Sequence, residues 1–289
     1  MISKINNFFR ERTDYSNFKK LSRSKKKLVF YSENKNYWTF FEKIIQSLNK
    51  KNFKPIYLTS DPSDLVFTKY KYLVDPFYIG DGTIRTICFL KMEADIFAMT
   101  MPDLDNFYIK KSSTVKMYVY IHHSIVSQHL VYNEKAFDNF DVIFCVGRHH
   151  IAENLERQKK KKIICKKLVQ HGYGRLDQIL EDYNSFRKSK LETKETVLIA
   201  PSWGKNSIIE RLNCAKLIIN LLKGGYVVIL RPHPRTFDKK LNKLKSLGKK
   251  LSGEKDFKLD VNYNSTESII KSDYMVSDFS GTALEFSFA

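Results

Sequence analysis

Short apolar runs alternate with longer stretches of helical period along most of the chain. Residues 28–31 (LVFY), 55–59, 95–99, 116–121 and 141–146 are nearly continuous in apolar residues and predict buried strands. Between them, residues 37–48 place apolar side chains at helical spacing. Asp81-Gly82-Thr83 opens a helix running toward Met92, and another starts at about His149, after Gly147. The lysines at 159–162, with the apolar Ile163-Ile164 behind them, read as a solvated loop ahead of a strand, and residues 175–186 read as a helix. Short buried strands alternating with helices predict a parallel, doubly wound sheet covered on both faces.

Residues 188–195 are polar and charged and form the best boundary in the chain. They divide a first domain, 1–187, from a second, 188–289. The pattern then repeats. Strands are expected at 196–200, 226–230, 257–259 and 274–276, with helices at 207–222, 237–251 and 266–270. Gly224-Gly225 closes the first of these helices, and a further helix resumes at Ala283. Two open α/β domains of this kind place loops from strand C-terminal ends along a shared cleft. In the second domain three such loops carry polar residues: the Trp203 loop, the His233 loop and the turn at 277–282.

Composition changes this picture in three ways. The 289 residues can bury two cores, and Lys plus Arg outnumber Asp plus Glu by 50 to 31, a formal charge of +19. That surplus predicts an anionic partner or reflects a lysine-rich composition. Nucleic acid is disfavoured, because the interleaved aromatic and basic residues of single-strand readers are missing. Cys88, Cys145, Cys165 and Cys214 lie far apart without metal-ligand spacing and read as buried free thiols of a reducing compartment. No carboxylate cluster offers a metal site, and no cofactor is implied. No run approaches the roughly 18 apolar residues of a spanning helix, and no signal peptide is evident, so a cytoplasmic protein is expected. The N-terminal segment 1–27 is basic, with Ile2, Ile5, Phe8 and Phe9 at near-helical spacing beside Lys4, Arg10 and Arg12. Such a helix packs on its own domain or lies on an anionic membrane.

Candidate chemistry concentrates at strand ends. Ser277-Asp278-Phe279-Ser280-Gly281-Thr282 joins a strand to a helix and leaves backbone N–H groups open at the helix start, which suits a phosphate or diphosphate. A plain N-capped helix uses the same residue types, and Asp278 is expected to cap or orient the turn. His233, between two prolines, is flanked by Arg231 and Arg235 in a set suited to a diphosphate. Glu285 either accepts from a ribose or glycerol hydroxyl or is a first-turn acid favoured by the helix dipole. After the strand 116–121, His122 or His123 is suited to deprotonate a hydroxyl, with position favouring His122. His129, His149 and His150 fall on helical patterns and read as structural.

Four segments in order then carry a resemblance: HGYGRLD at 171–177, VLIAPSW at 197–203, VVILRPHPR at 227–235 and SDYMVSDFSGTALEF at 272–286. Together they resemble the CDP-glycerol glycerophosphotransferases of teichoic acid and capsule synthesis. The resemblance implies a GT-B-like fold, two Rossmann-like domains facing a cleft, with the donor nucleotide held mainly by the second. It implies transfer of glycerol phosphate or a related polyol phosphate from a CDP-activated donor to a hydroxyl of a cell-envelope polymer or lipid-linked glycan. The substrate-binding set it implies is Gly174, Arg175, Ser202, Arg231, His233, Arg235, Ser277, Asp278, Ser280, Gly281, Thr282 and Glu285. The alternatives are a GT-B glycosyltransferase using a nucleotide sugar, or a non-catalytic binder of anionic polymer. A lipid-linked acceptor would put a cytoplasmic protein at the inner face of the membrane. Two departures stand out. Ile121-His122-His123-Ser124 replaces the His-Gly-Thr of the family, and the chain stops at Ala289, about two turns into its last helix. A C-terminally truncated second domain of reduced activity is therefore expected.

Overall fold

Alternate residues of each apolar run face opposite sides of the sheets they form. The computed structural model describes residues 2–107, 109–163, 166–189, 194–205, 207–211 and 214–289. These divide into two compact units, Met1–Gly174 and Arg175–Ala289.

The first unit begins with α1 (Ile2–Lys20), then β1 (Leu28–Ser32), α2 (Trp38–Asn49), β2 (Ile56–Thr59), β3 (Asp75–Tyr78) and α3 (Thr83–Leu90). It continues with β4 (Ala94–Met99), β5 (Val115–Ile121), α4 (Gln128–Val131), β6 (Val142–Cys145), α5 (Arg148–Lys161) and β7 (Lys167–Gln170). All seven strands pair in parallel in the order β3-β2-β1-β4-β5-β6-β7. Val29 and Tyr31 of β1 join one core with Phe18 of α1 and Phe89 of α3, while Phe30 joins a second with Phe41 and Ile45 of α2. Both faces are thus buried, as the unbroken apolar runs foretold. Of the N-terminal helix, Phe18 packs into the core, while Ile5, Phe8 and Phe9 stay exposed.

The second unit holds α6 (Gly174–Ser189), β8 (Thr196–Ile199), α7 (Ile208–Arg211), α8 (Cys214–Lys223), β9 (Val227–Leu230) and α9 (Pro234–Lys250). After these come β10 (Phe257–Leu259), α10 (Thr266–Lys271), β11 (Tyr274–Val276) and α11 (Gly281–Phe288). Its parallel sheet has the order β10-β9-β8-β11. Ile199, Val228 and Leu230 face Ile209, Ile218 and Leu244 on one side. On the other, Leu198 and Ile229 meet Ile179, Ile269 and Phe286.

Several expectations are revised. The division falls at Gly174/Arg175, upstream of the 187/188 boundary, because Ile179 of α6 is buried in the second core. Strand β3 escaped the pattern because it carries Pro76, which an edge strand tolerates. The lysines 159–161 are the last turn of α5, where cations oppose the helix dipole, and Lys162 ends it at φ 51°. The single helix 207–222 is two, α7 and α8, and α9 starts at Pro234 instead of Phe237. Cys88, Cys145 and Cys214 are buried free thiols, and Cys165 lies outside the described residues. No helix among the described residues is long and apolar enough to cross a membrane.

Candidate functional site

In the second sheet, strand order reverses direction between β8 and β11, and open α/β sheets bind ligands beyond the carboxyl ends of strands at such a point. Two loops leave the sheet there, and Asp278 ties them together. Its carboxylate accepts from the Ser202 N–H at 2.6 Å and the Ile208 N–H at 3.0 Å. Asp278 thus orients the loop after β8 rather than its own turn. Ser277 donates its hydroxyl to the Ala200 carbonyl at 2.6 Å and lies 3.0 Å from the Ser280 hydroxyl. Ser280 is the N-cap of α11: its Oγ accepts from the Ala283 N–H at 3.1 Å. The N–H groups of Gly281 and Thr282, the first two residues of that helix, have no hydrogen-bond partner among the described residues. Open first-turn donors with a dipole behind them can hold an anion.

His233 sits at the end of β9 as N-cap of α9, with Pro234 in the first turn. Its Nδ1 accepts from the Arg235 N–H at 3.1 Å, so in the neutral ring the proton is on Nε2. Burial, with Arg235 and Arg231 nearby, lowers its pKa to about 4. At neutral pH His233 therefore offers one N–H donor and no charge. The cation beside it is Arg235, exposed and stacked 4.6 Å over the Trp203 ring.

Arg231, Arg175 and Glu285 are placed differently from the exposed residues. Arg231 is 5% exposed, donates Nη2–H to the Tyr263 carbonyl at 2.6 Å and lies 3.8 Å from Asp260. Desolvation lowers its pKa, against the pull of Asp260. Arg175 donates to both oxygens of Glu285, at 2.8 and 3.2 Å, and to the Ser265 hydroxyl at 2.6 Å. Glu285 is thus engaged within the fold by Arg175.

In the first unit, the two histidines after β5 separate. His122 is 3% exposed, and neither ring nitrogen has a partner among the described residues. Its ring lies 4.1 Å from that of His150 and 5.2 Å from Phe137. Desolvation, then His150, lowers its pKa well below the usual value. His123 is half-buried, with Nδ1 3.3 Å from the Tyr120 hydroxyl and Nε2 3.4 Å from the Tyr132 hydroxyl. The Tyr173 hydroxyl donates to its carbonyl at 3.3 Å, and Tyr37 and Phe40 stand edge-on to its ring. Burial pulls its pKa to about 4, so it is neutral and able to accept a proton at pH 7. Gly174 is half-buried at the start of α6. The tyrosines around His123 and the loop 260–265 were not foreseen. For the loop, an exposed-looking tyrosine among Asp, Asn and Ser just after a strand was the available signal. No group of three or more metal-ligating side chains is present among the described residues.

Solved structures share this fold. The wall teichoic acid polymerase TagF, crystallised as a point variant with CDPG, aligns over 99% of this chain and 75% of its own at 16% identity and a TM-score of 0.58. The UDP-GlcNAc 2-epimerase of Methanocaldococcus jannaschii aligns over 91% of this chain and 81% of its own, with 16% identity and a TM-score of 0.59. That of Neisseria meningitidis aligns over 88% and 77%, with 12% identity and a TM-score of 0.58. No curated protein sequence matches the chain significantly. Two parallel-sheet α/β units with these neighbours define a GT-B-like protein. Residues 16–289 match the profile described as CDP-Glycerol:Poly(glycerophosphate) glycerophosphotransferase, and the chain belongs to that family.

Proposed function

We propose that this chain transfers glycerol phosphate from CDP-glycerol to a hydroxyl of an anionic, cell-envelope or lipid-linked polymer. The observation that carries this is the pairing of an uncharged His233 N–H donor with the open N–H groups of Gly281 and Thr282. All three lie at strand ends of one sheet, in a chain of this family. Those groups and Arg235 hold the donor's two phosphates and offset charge that develops as the bridging oxygen departs. His123 takes the acceptor's proton, because it is the accessible one of the two strand-end histidines. The acceptor oxygen forms a bond to the phosphorus that bears glycerol, the bond from that phosphorus to the bridging oxygen breaks, and CMP leaves. The charge of +19 favours an anionic acceptor, and exposed Ile5, Phe8 and Phe9 beside Arg12 favour an anionic membrane as its location.

A calorimetric panel of CDP-glycerol, UDP-sugars and oligonucleotides tests the donor, with co-sedimentation on anionic and neutral vesicles as a companion. CDP-glycerol is expected to bind selectively, and His233→Ala to weaken it by roughly tenfold or more, the value of a hydrogen bond to a charged group. His123→Asn is expected to abolish CMP release while leaving donor affinity unchanged. Selective binding of a UDP-sugar would instead favour a nucleotide-sugar transferase. Unchanged affinity in His233→Ala removes the phosphate site, and equal sedimentation on both vesicles removes the membrane.

A further inference from the structure

The loop 260–265, between β10 and α10, is held more firmly than a surface connection requires. Asp260, 3% exposed, accepts from the Asn262 N–H at 2.9 Å and from the Ser268 hydroxyl. Its own N–H donates to the Leu230 carbonyl at 2.8 Å. Arg231 holds the Tyr263 carbonyl at 2.6 Å. Arg175, 9% exposed, holds the Ser265 hydroxyl at 2.6 Å and reaches Asn264 Oδ1 at 3.5 Å. Asn264 Oδ1 also accepts from the Thr266 N–H at 2.9 Å. Two buried arginines and the loop's own buried Asp260 therefore fix its six residues. Buried charges rarely add net stability relative to apolar packing, so their effect here is to fix geometry.

Outward, that loop presents Val261 and Tyr263 beside the exposed Asn262 and Asn264. Tyr263 is 56% exposed and Val261 54% exposed, although both flank polar residues. The order β10-β9-β8-β11 puts the loop that carries Tyr263 at the end of β10, next to β9 and its His233 turn. The start of α11 lies three strand spacings from β10, roughly 14 Å. Two further exposed aromatics lie on the side of the phosphate donors: Trp203, whose ring is stacked by Arg235 and whose loop is tied to Asp278, and Phe279, in the turn just before α11.

We infer that Tyr263 is the surface on which the base of a nucleoside diphosphate stacks, and that Arg231 and Arg175 are positioning residues that hold its loop ready. This rests on the proposed placement of the donor phosphates at His233 and α11. Base, ribose and phosphates then follow the strand order from β10 toward β11. A pre-ordered loop loses little freedom on binding, which is what the buried arginines secure.

The test compares CDP with inorganic pyrophosphate, which has the phosphates and no base, on the full chain by calorimetry. Tyr263→Ala is expected to weaken CDP by roughly five- to a hundredfold, the range for one aromatic–base stack, and to leave pyrophosphate unchanged. Tyr263→Phe should bind CDP like the parent. Arg231→Gln should show the same split as Tyr263→Ala. CDP affinity within twofold of the parent in Tyr263→Ala, or an equal loss of CDP and pyrophosphate, overturns the stacking role. A loss of pyrophosphate in Arg231→Gln makes Arg231 a ligand contact and overturns its positioning role. His233→Ala separates the two levels. It should weaken both probes, and if it weakens neither, the phosphate placement itself fails.

Discussion

The two units place polar residues at strand ends by different physical means. In the first, His122 and His123 stand at the top of β5 inside an aromatic shell of Tyr120, Tyr132, Phe137, Tyr37 and Phe40. Packing positions them, and the cost is desolvation, so they are held neutral. In the second, loops are positioned by charge: Asp278 on the loop after β8, Arg231 and Arg175 on the loop after β10, Glu285 against Arg175. A packed site should fail when its histidines are forced to charge, and a charge-braced site when one partner of a buried pair is removed. The chain has two tryptophans, Trp38 in the first unit and Trp203 in the second, so Trp→Phe variants let fluorescence follow each unit alone.

The largest effect is expected for Arg175→Ala. It removes both bonds to Glu285 and leaves a carboxylate 6% exposed without its cation. Breaking a buried pair in this way costs about 3–5 kcal/mol. The Trp203-reported urea midpoint should fall accordingly, with the Trp38 transition unmoved. Replacing the pair together, Arg175→Met with Glu285→Leu, should cost less than the single change. A loss below about 1 kcal/mol in Arg175→Ala would break the contrast between the units.

Acid should act in the opposite sense, on the first unit. His123 and His150 have folded pKa values of about 4, and His122 and His171 are also lowered, all chiefly by burial. The second unit has one lowered histidine, His233. With the unfolded value near 6.5, the unfolded chain binds more protons between about pH 6.5 and 4. Stability is therefore full above pH 6.5, is lost as pH falls through that window, and levels off below it. His150 alone, fully buried, accounts for on the order of 3 kcal/mol. Asp64, whose pKa burial raises, works weakly against the trend. Thermal melts from pH 7 to 4 should show the Trp38 transition falling further than the Trp203 transition. Equal falls would show that the histidine shell is not what distinguishes the first unit.

Legibility from sequence follows the same division. Strands buried on both faces leave unbroken apolar runs, so β1, β2, β4, β5 and β6 could be read, along with the parallel, doubly wound sheet they build. Edge strand β3 could not, since Pro76 and Asp75 hide it. Local motifs gave the strand-to-helix turn at 277–282 and the His233 turn, because such turns are written in adjacent residues, although the cap of α11 is Ser280 where the sequence had pointed to Asp278. What could not be read was which side chains would be buried. Arg231, Arg175 and Glu285 are typical ligand-binding residue types, yet each spends its charge on partners 20 to 110 positions away. The boundary was misplaced for a similar reason. The polar residues after α6 suggested a linker, while Ile179 commits that helix to the second core.

The smallest effect is expected at Ser280, whose hydrogen bonds are neutral and local. Ser280 accepts from Ala283 N–H and lies 3.0 Å from Ser277, so Ser280→Ala leaves one first-turn donor unmet while Gly281 and Thr282 keep their open N–H groups. Loss of an N-cap hydroxyl costs about 1 kcal/mol, and Ser280→Gly should cost only a few tenths. Neither variant touches the Arg175–Glu285 pair one turn further along α11, so the helix should remain in place. The Trp203-reported midpoint should drop by that small amount. Pyrophosphate affinity should fall less than in His233→Ala, because the Ser280 hydroxyl already serves its own helix. A Ser280→Ala loss as large as that of Arg175→Ala would mean that caps, and not buried charges, hold the second unit's loops.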